Sequence, residues 1–194
     1  MKERLIVWIR KETGKKYIIY FLGIIAFFES FIFPIPIDIF VFTLSSVHPW
    51  KWKTYAAIST VWSVIGALFG YFIGFYFFDR FGMQMIELYG YEEQLARVTE
   101  LFNKNVFWVM FISAFTPIPY KVFTITGGAL HVTLFPFFTA SILGRGLRFF
   151  IEAYIPYRFG SSAGKHILRN FNHYTIVLAF VVISYIILKH YSIL

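Results

Sequence analysis

The chain has 194 residues, of which 58% are hydrophobic, 23% aromatic and only 14% charged; soluble domains hold about 45–50% apolar and roughly 25% charged residues, so a water-soluble globule is excluded. It contains no cysteine, which rules out a disulfide framework, thiolate metal sites and cysteine nucleophiles. The net charge of +8 gathers in short stretches beside apolar runs, a pattern that marks membrane orientation rather than nucleic-acid binding.

Residues 1–16 hold six of the 18 basic residues (Lys2, Arg4, Arg10, Lys11, Lys15 and Lys16). No small-residue cleavage pattern follows, so the segment does not read as a cleaved signal. Leu5, Trp8 and Ile9 share a helical face, which suits a basic amphipathic segment on an anionic leaflet; a solvated cytoplasmic tail fits as well. Residues 17–48 are too long for one span and too short for two plus a turn, and Pro34 and Pro36 divide them. Each half makes about 18 Å of helix, partway through a hydrocarbon core of about 30 Å. Two prolines within three residues break the backbone ladder, which predicts a re-entrant helical hairpin; the alternative is one kinked span.

Residues 55–78 carry no charge over 24 positions, enough for a full span. Residues 79–104 hold five acids and three bases, and Leu95, Val98 and Leu101 or Phe102 recur at helical period, which predicts an outer amphipathic surface helix. Residues 105–131 repeat the broken pattern around Pro117 and Pro119. Residues 132–157 form a second span although they contain Arg145, Arg148 and Glu152. A basic cytoplasmic loop, 161–173, leads to a C-terminal transmembrane helix, 174–194, which is available for packing or for a homo-oligomer contact.

The two broken segments align at an offset of 83 (Pro34-Ile35-Pro36 with Pro117-Ile118-Pro119) and the spans after them at 78 (Gly66 with Gly144). A unit that crosses once and occurs twice must be inverted in its second copy. The fold class is therefore an all-α integral membrane protein of two inverted repeats, residues 17–160, each a re-entrant hairpin plus a transmembrane helix. With the N-terminus cytoplasmic, the loops at Lys51, Lys53, Arg158, Lys165 and Arg169 lie inside and the acidic loop lies outside, as the positive-inside rule requires.

Six charges fall inside apolar segments: Glu29, Asp38 and Glu152 against Lys121, Arg145 and Arg148. Each is costly in a bilayer unless paired or solvated, so equal numbers of both signs predict one neutralised polar centre. A salt-bridge network without a ligand is one account, since Arg148 and Glu152 have i,i+4 spacing. Lys121 argues for more. It lies in the first turn after Pro119, where the helix dipole disfavours a cation, and a cation beside free N–H groups makes an anion site. Arg145 and Arg148, three apart, add fork-shaped donors suited to phosphate. Gly66, Gly70 and Gly74 form a stripe that lets helices approach closely; because Gly70 and Gly74 align with Arg148 and Glu152, the stripe also offers room for a ligand chain. No H-E-x-x-H, G-x-S-x-G or P-loop motif occurs, so neither an enzyme nor a cofactor is expected.

Glu29 followed by Phe33-Pro34-Ile35-Pro36, the Gly66–Gly74 pattern, and Phe115-Thr116-Pro117-Ile118-Pro119-Tyr120-Lys121 leading to Gly127-Gly128 resemble the DedA family, also called the SNARE-associated or VTT-domain family. The Thr-Pro-Ile-Pro-Tyr-Lys variant and Gly144-Arg145-Gly146-Leu147-Arg148 are most similar to its YqaA branch. The resemblance implies a bacterial inner-membrane protein that moves phospholipids or undecaprenyl phosphate between leaflets, with proton-motive-force dependence. It also implies proton coupling at Glu29 and Asp38. The usual family arginines are replaced here by Ala114 and Tyr120, so either Lys121 with Arg145 and Arg148 binds the phosphate in their place or this branch carries a different substrate. The alternative function is a proton- or ion-coupled small-solute transporter of the inner membrane.

Overall fold

Each apolar run among the described residues becomes helix. The computed structural model of the protein describes residues 17–32, 36–90 and 92–160, and its regular elements are all helical. Helix α1 is Tyr17–Glu29 and α2 is Ile37–Val47; a 3-10 turn, Pro49–Lys51, leads into α3, Trp52–Phe77. A π-helical turn, Phe78–Gly82, extends α3 towards α4, Met83–Tyr89, which is followed by α5, Glu92–Lys104. Helix α6 is Val106–Phe115, α7 is Tyr120–Ala129 and α8 is Leu134–Gly160. Pro34, the N-terminal segment, the loop 161–173 and the span predicted at 174–194 lie outside the described residues.

The prolines decide where the short helices end. Pro36 and Pro119 each occupy the position before the first residue of a helix, with φ of −75° and −61°. The N–H groups there have no intrahelical acceptor, so a residue without one fits at no cost. At the first break the chain folds back. The rings of Phe21 and Phe40 lie 6.0 Å apart, whereas a continuous helix would hold residues so far apart in sequence about 28 Å from each other. At the second break, α6 and α7 pack through Met110, Ala114 and Tyr120.

The long helices bind these pairs together. Helix α3 has 26 residues and α8 has 27, about 40 Å each and sufficient to cross a bilayer with tilt. They run antiparallel, since Trp52 at the start of α3 stacks on Tyr157 near the end of α8, with ring centroids 5.5 Å apart. One core cluster joins α1 and α2 (Leu22, Val41, Leu44) to Tyr55 of α3 and Phe149 of α8. A second joins Tyr71 of α3, Met110 of α6 and Tyr120 of α7 to Phe137 of α8. The outward faces carry exposed Val61, Phe69, Phe72, Leu143 and Leu147, a surface that suits lipid and not water.

Three sequence expectations shift in detail. The first span begins at Trp52 rather than 55 and continues helically to Gly82. The amphipathic stripe of the outer segment divides: Leu95 and Phe102 of α5 pack on the second core cluster, and Val98 stays exposed. The space beside Gly66, Gly70 and Gly74 holds protein, not room for a ligand chain. A Cβ at Gly66 would penetrate the Phe27 carbonyl of α1, one at Gly74 would penetrate the Ile125 carbonyl of α7, and one at Gly70 would meet Thr124 Oγ1 at 2.8 Å.

Gly74→Ala should therefore overpack the α3–α7 contact and destabilise the protein by about 1–3 kcal/mol. Gly146→Ala, whose Cβ would meet Thr60 Cγ2 at an ordinary 3.6 Å, should leave stability unchanged or raise it slightly. Thermal unfolding of the two variants in detergent checks the contrast.

Candidate functional site

The six intramembrane charges of the sequence arrive at the place where the two breaks meet. Glu29 is the last residue of α1, Asp38 is the second of α2 and Lys121 is the second of α7. Arg145, Arg148 and Glu152 lie on α8 at spacings that bring them onto one helical face. Asp38 is well placed at the positive end of the α2 dipole.

Both arginines are buried, at 3% exposure each, as is Glu152 at 1%. Each arginine has more than one partner. Arg145 Nη2 pairs with Glu29 Oε2, and its Nε donates to Ser63 Oγ at 2.7 Å. Ser63 Oγ lies 2.7 Å from Ser30 Oγ, so the chain of bonds runs from α8 through α3 to the end of α1. The Arg145 guanidinium also lies 4.8 Å from the centre of the Tyr120 ring and 5.0 Å from that of Phe149, a desolvated cation–π sandwich. Arg148 Nη2 pairs with Asp38 Oδ2 at 2.5 Å, Nη1 donates to the Phe115 carbonyl at 3.1 Å, and Nε lies 3.1 Å from Glu152 Oε1.

These bonds solve the problem that the breaks create. A helix that stops inside an apolar environment leaves carbonyls without partners. Arg148 takes the Phe115 carbonyl at the end of α6. At the end of α1, Thr124 Oγ1 donates to the Ser30 carbonyl at 3.1 Å, and Lys121 Nζ to the Ile32 carbonyl at 3.2 Å. Lys121 is tolerated at the start of α7 because it faces the negative end of another helix.

Between the breaks lies a cavity of about 190 Å³ lined by Glu29, Asp38, Lys121, Arg145, Arg148 and the three prolines Pro36, Pro117 and Pro119. Its volume equals that of about six waters. Glu29 and Asp38 are more exposed than the arginines they pair with, with side chains 20% and 38% accessible, while the guanidiniums lie beneath them. Lys121 has no carboxylate within ion-pair distance among the described residues. Glu152 stands behind Arg148, away from the cavity lining. No three carboxylate or imidazole groups among the described residues converge to hold a metal ion. The arrangement suits an anionic or zwitterionic group that exchanges partners with these ion pairs.

Sequence reasoning did not single out Ser30, Ser63 or Thr124, and it named Tyr120 only as a replacement for a family arginine. Ser63 was the readable signal, a polar residue three positions before Gly66 on the stripe of small residues.

The VTT domain family model matches residues 35–158, more than half of the chain. An uncharacterized protein of Haemophilus influenzae is 31% identical over 90% of this chain and 91% of its own length. An uncharacterized homologue from Histophilus somni is 28% identical over 91% of this chain and 93% of its own. No solved structure matches.

Arg145→Gln should strand Glu29 and cost about 3 kcal/mol, the low end of the range for breaking a buried pair, because Glu29 retains some solvent. The double variant Glu29→Gln/Arg145→Gln should be more stable than Arg145→Gln alone. A double-mutant cycle in detergent measures the coupling, and additive losses would show that the pair holds nothing together.

Proposed function

The chain belongs to the VTT-domain family of membrane proteins, and on that premise we propose that it moves a phosphate-bearing lipid between the leaflets of the bacterial inner membrane. The substrate is a phospholipid or a polyprenyl phosphate such as undecaprenyl phosphate. The observation that carries this reading is a polar cavity at the junction of two broken helices, where Lys121 is a cation without a carboxylate partner among the described residues and two arginines lie directly below. Membrane transporters that use broken helices bind charged groups at such junctions.

In this reading the two breaks are the tips of re-entrant hairpins in two inverted repeats. Two features support the symmetry. Asp38 and Lys121 occupy the same position, second in the helix after a Pro-x-Pro. A Cβ at Gly144 would meet the Phe111 carbonyl of α6 at 2.9 Å, the counterpart of Gly66 against the Phe27 carbonyl of α1. The orientation follows from charge. Lys51, Lys53 and Arg158 lie at the shared end of α3 and α8, which favours the cytoplasm for that end and for the N-terminus.

The headgroup enters between Pro36 and Pro119, and its phosphate oxygens take donors from Lys121, Arg145 and Arg148. Glu29 and Asp38 release those donors and couple the exchange to protons. The lipid chain stays on the apolar outer faces. Arg145 over the Tyr120 ring supplies a guanidinium next to a position where the resemblance to the family implies an arginine.

Lys121→Gln should lower the flux of headgroup-labelled phospholipid or polyprenyl phosphate in reconstituted vesicles by about tenfold or more, the loss of one charge-assisted hydrogen bond. Unchanged flux of both lipids would overturn the phosphate reading. Movement of a small anion without lipid would favour small-solute transport instead.

A further inference from the structure

Around Arg148 the charges do not balance locally. Asp38 and Glu152 share that one guanidinium, while Arg145 is paired with Glu29 and Lys121 is directed to the Ile32 carbonyl. An unbalanced charge in apolar surroundings is expensive, and one proton removes it.

Hydrogen counting shows where that proton belongs. Arginine has five N–H hydrogens, of which Nε carries one. Arg148 spends Nη2 on Asp38 Oδ2 and Nη1 on the Phe115 carbonyl. Its single Nε hydrogen is directed to Asp38 Oδ1 at 3.4 Å, while Glu152 Oε1 lies 3.1 Å from the same nitrogen, at ion-pair distance without a hydrogen bond from it. Both oxygens therefore crowd one nitrogen that can serve only one of them well. Glu152 Oε2 is buried without a hydrogen-bond partner. A carboxylate so poorly supplied with donors is costly to bury, whereas a carboxylic acid brings its own donor. The Asp38 carboxyl is its neighbour, since both lie within 3.4 Å of the same Arg148 Nε.

We propose that Asp38 and Glu152 together hold one exchangeable proton across the Arg148 guanidinium, with Glu152 as its resting place. The proton passes between the two carboxyls, and no other bond is made or broken. The neighbouring charged and titratable groups are Arg148 and Arg145 on the same helix, Asp38 on α2, and Glu29 on α1 beyond the guanidiniums. Helix α3 contributes the Tyr55 phenol to the adjoining core, and α7 carries Tyr120 beneath Arg145. The proposal rests on the transport reading for its purpose. A phosphate that draws Arg148 away from Asp38 leaves that carboxylate in need of a proton, and Glu152 supplies it.

Infrared pH-difference spectra of the full chain in liposomes test the site without reference to lipid movement. Wild-type protein should show a protonated-carboxyl C=O band that moves when glutamate is 13C-labelled at its side-chain carboxyl. Glu152→Gln should abolish the band, Asp38→Asn should shift it, and Glu29→Gln should leave it in place. A band insensitive to glutamate labelling, lost in Glu29→Gln, or retained in Glu152→Gln overturns the proposal. Should Glu152→Gln fail to fold, the labelled wild type and Glu29→Gln still decide between the carboxyls. Vesicle flux of labelled phospholipid, measured in parallel, separates the two readings: a band as described without flux removes the lipid substrate and leaves the proton site standing, whereas flux without the band does the reverse.

Discussion

A guanidinium brought into an apolar interior must pair its charge and find acceptors for its donors, and this structure is organised around two that draw their acceptors from several helices. Arg145 ties α8 to α1 through Glu29 and to α3 through Ser63. Arg148 ties α8 to α2 through Asp38 and to α6 through the Phe115 carbonyl. Four helices thus converge on two adjacent turns of one. A planar fork with several donors can hold that many partners at once, and a lysine at either position would hold fewer.

The same constraint explains why the glycines are needed. Broken helices leave carbonyls and carboxylates that only close neighbours can satisfy, and those neighbours must approach within hydrogen-bond distance. Gly66 and Gly74 allow α3 to rest directly on the backbones of α1 and α7. A side chain at either place would push those helices outward. The Ser63–Ser30 and Thr124–Ser30 bonds, only 2.7 and 3.1 Å long, would then stretch. In lipid, where apolar side chains gain little by leaving their solvent, such short-range packing and hydrogen bonding supply much of the association between helices.

Much of this was legible in the sequence because membranes restrict the choices. Segment length against bilayer thickness gave the long helices, and Pro36 and Pro119 gave the points where the short ones begin. The six charges announced a single polar centre, since separate burial of each would be too costly. Their pairing was not legible. The i,i+4 spacing of Arg148 and Glu152 was visible, but it does not reveal that Asp38 takes most of Arg148's donors. That outcome depends on how α2 crosses α8, a tertiary fact. The position of Lys121 looked unfavourable from its own helix alone and becomes reasonable only with the Ile32 carbonyl opposite. The start of α3 at Trp52 was missed for a similar reason, since its stacking on Tyr157 comes from the far end of the chain.

The layering of the charges bears on how any ligand would be held. The carboxylates of Glu29 and Asp38 are nearer the cavity, and the guanidiniums lie under them. An incoming phosphate does not find open cations apart from Lys121; it competes with carboxylates already bonded to the arginines. Simple addition of an anion would set its charge beside Glu29 and Asp38, whose carboxylates already neutralise the arginines. Exchange avoids that cost when a displaced carboxylate is protonated as the phosphate takes its place. A zwitterionic headgroup achieves the same balance by meeting the displaced carboxylate with its own ammonium. In either case the ion pairs serve as placeholders that keep the site neutral when it is empty, so that its charged groups can remain inside the membrane throughout the proposed cycle.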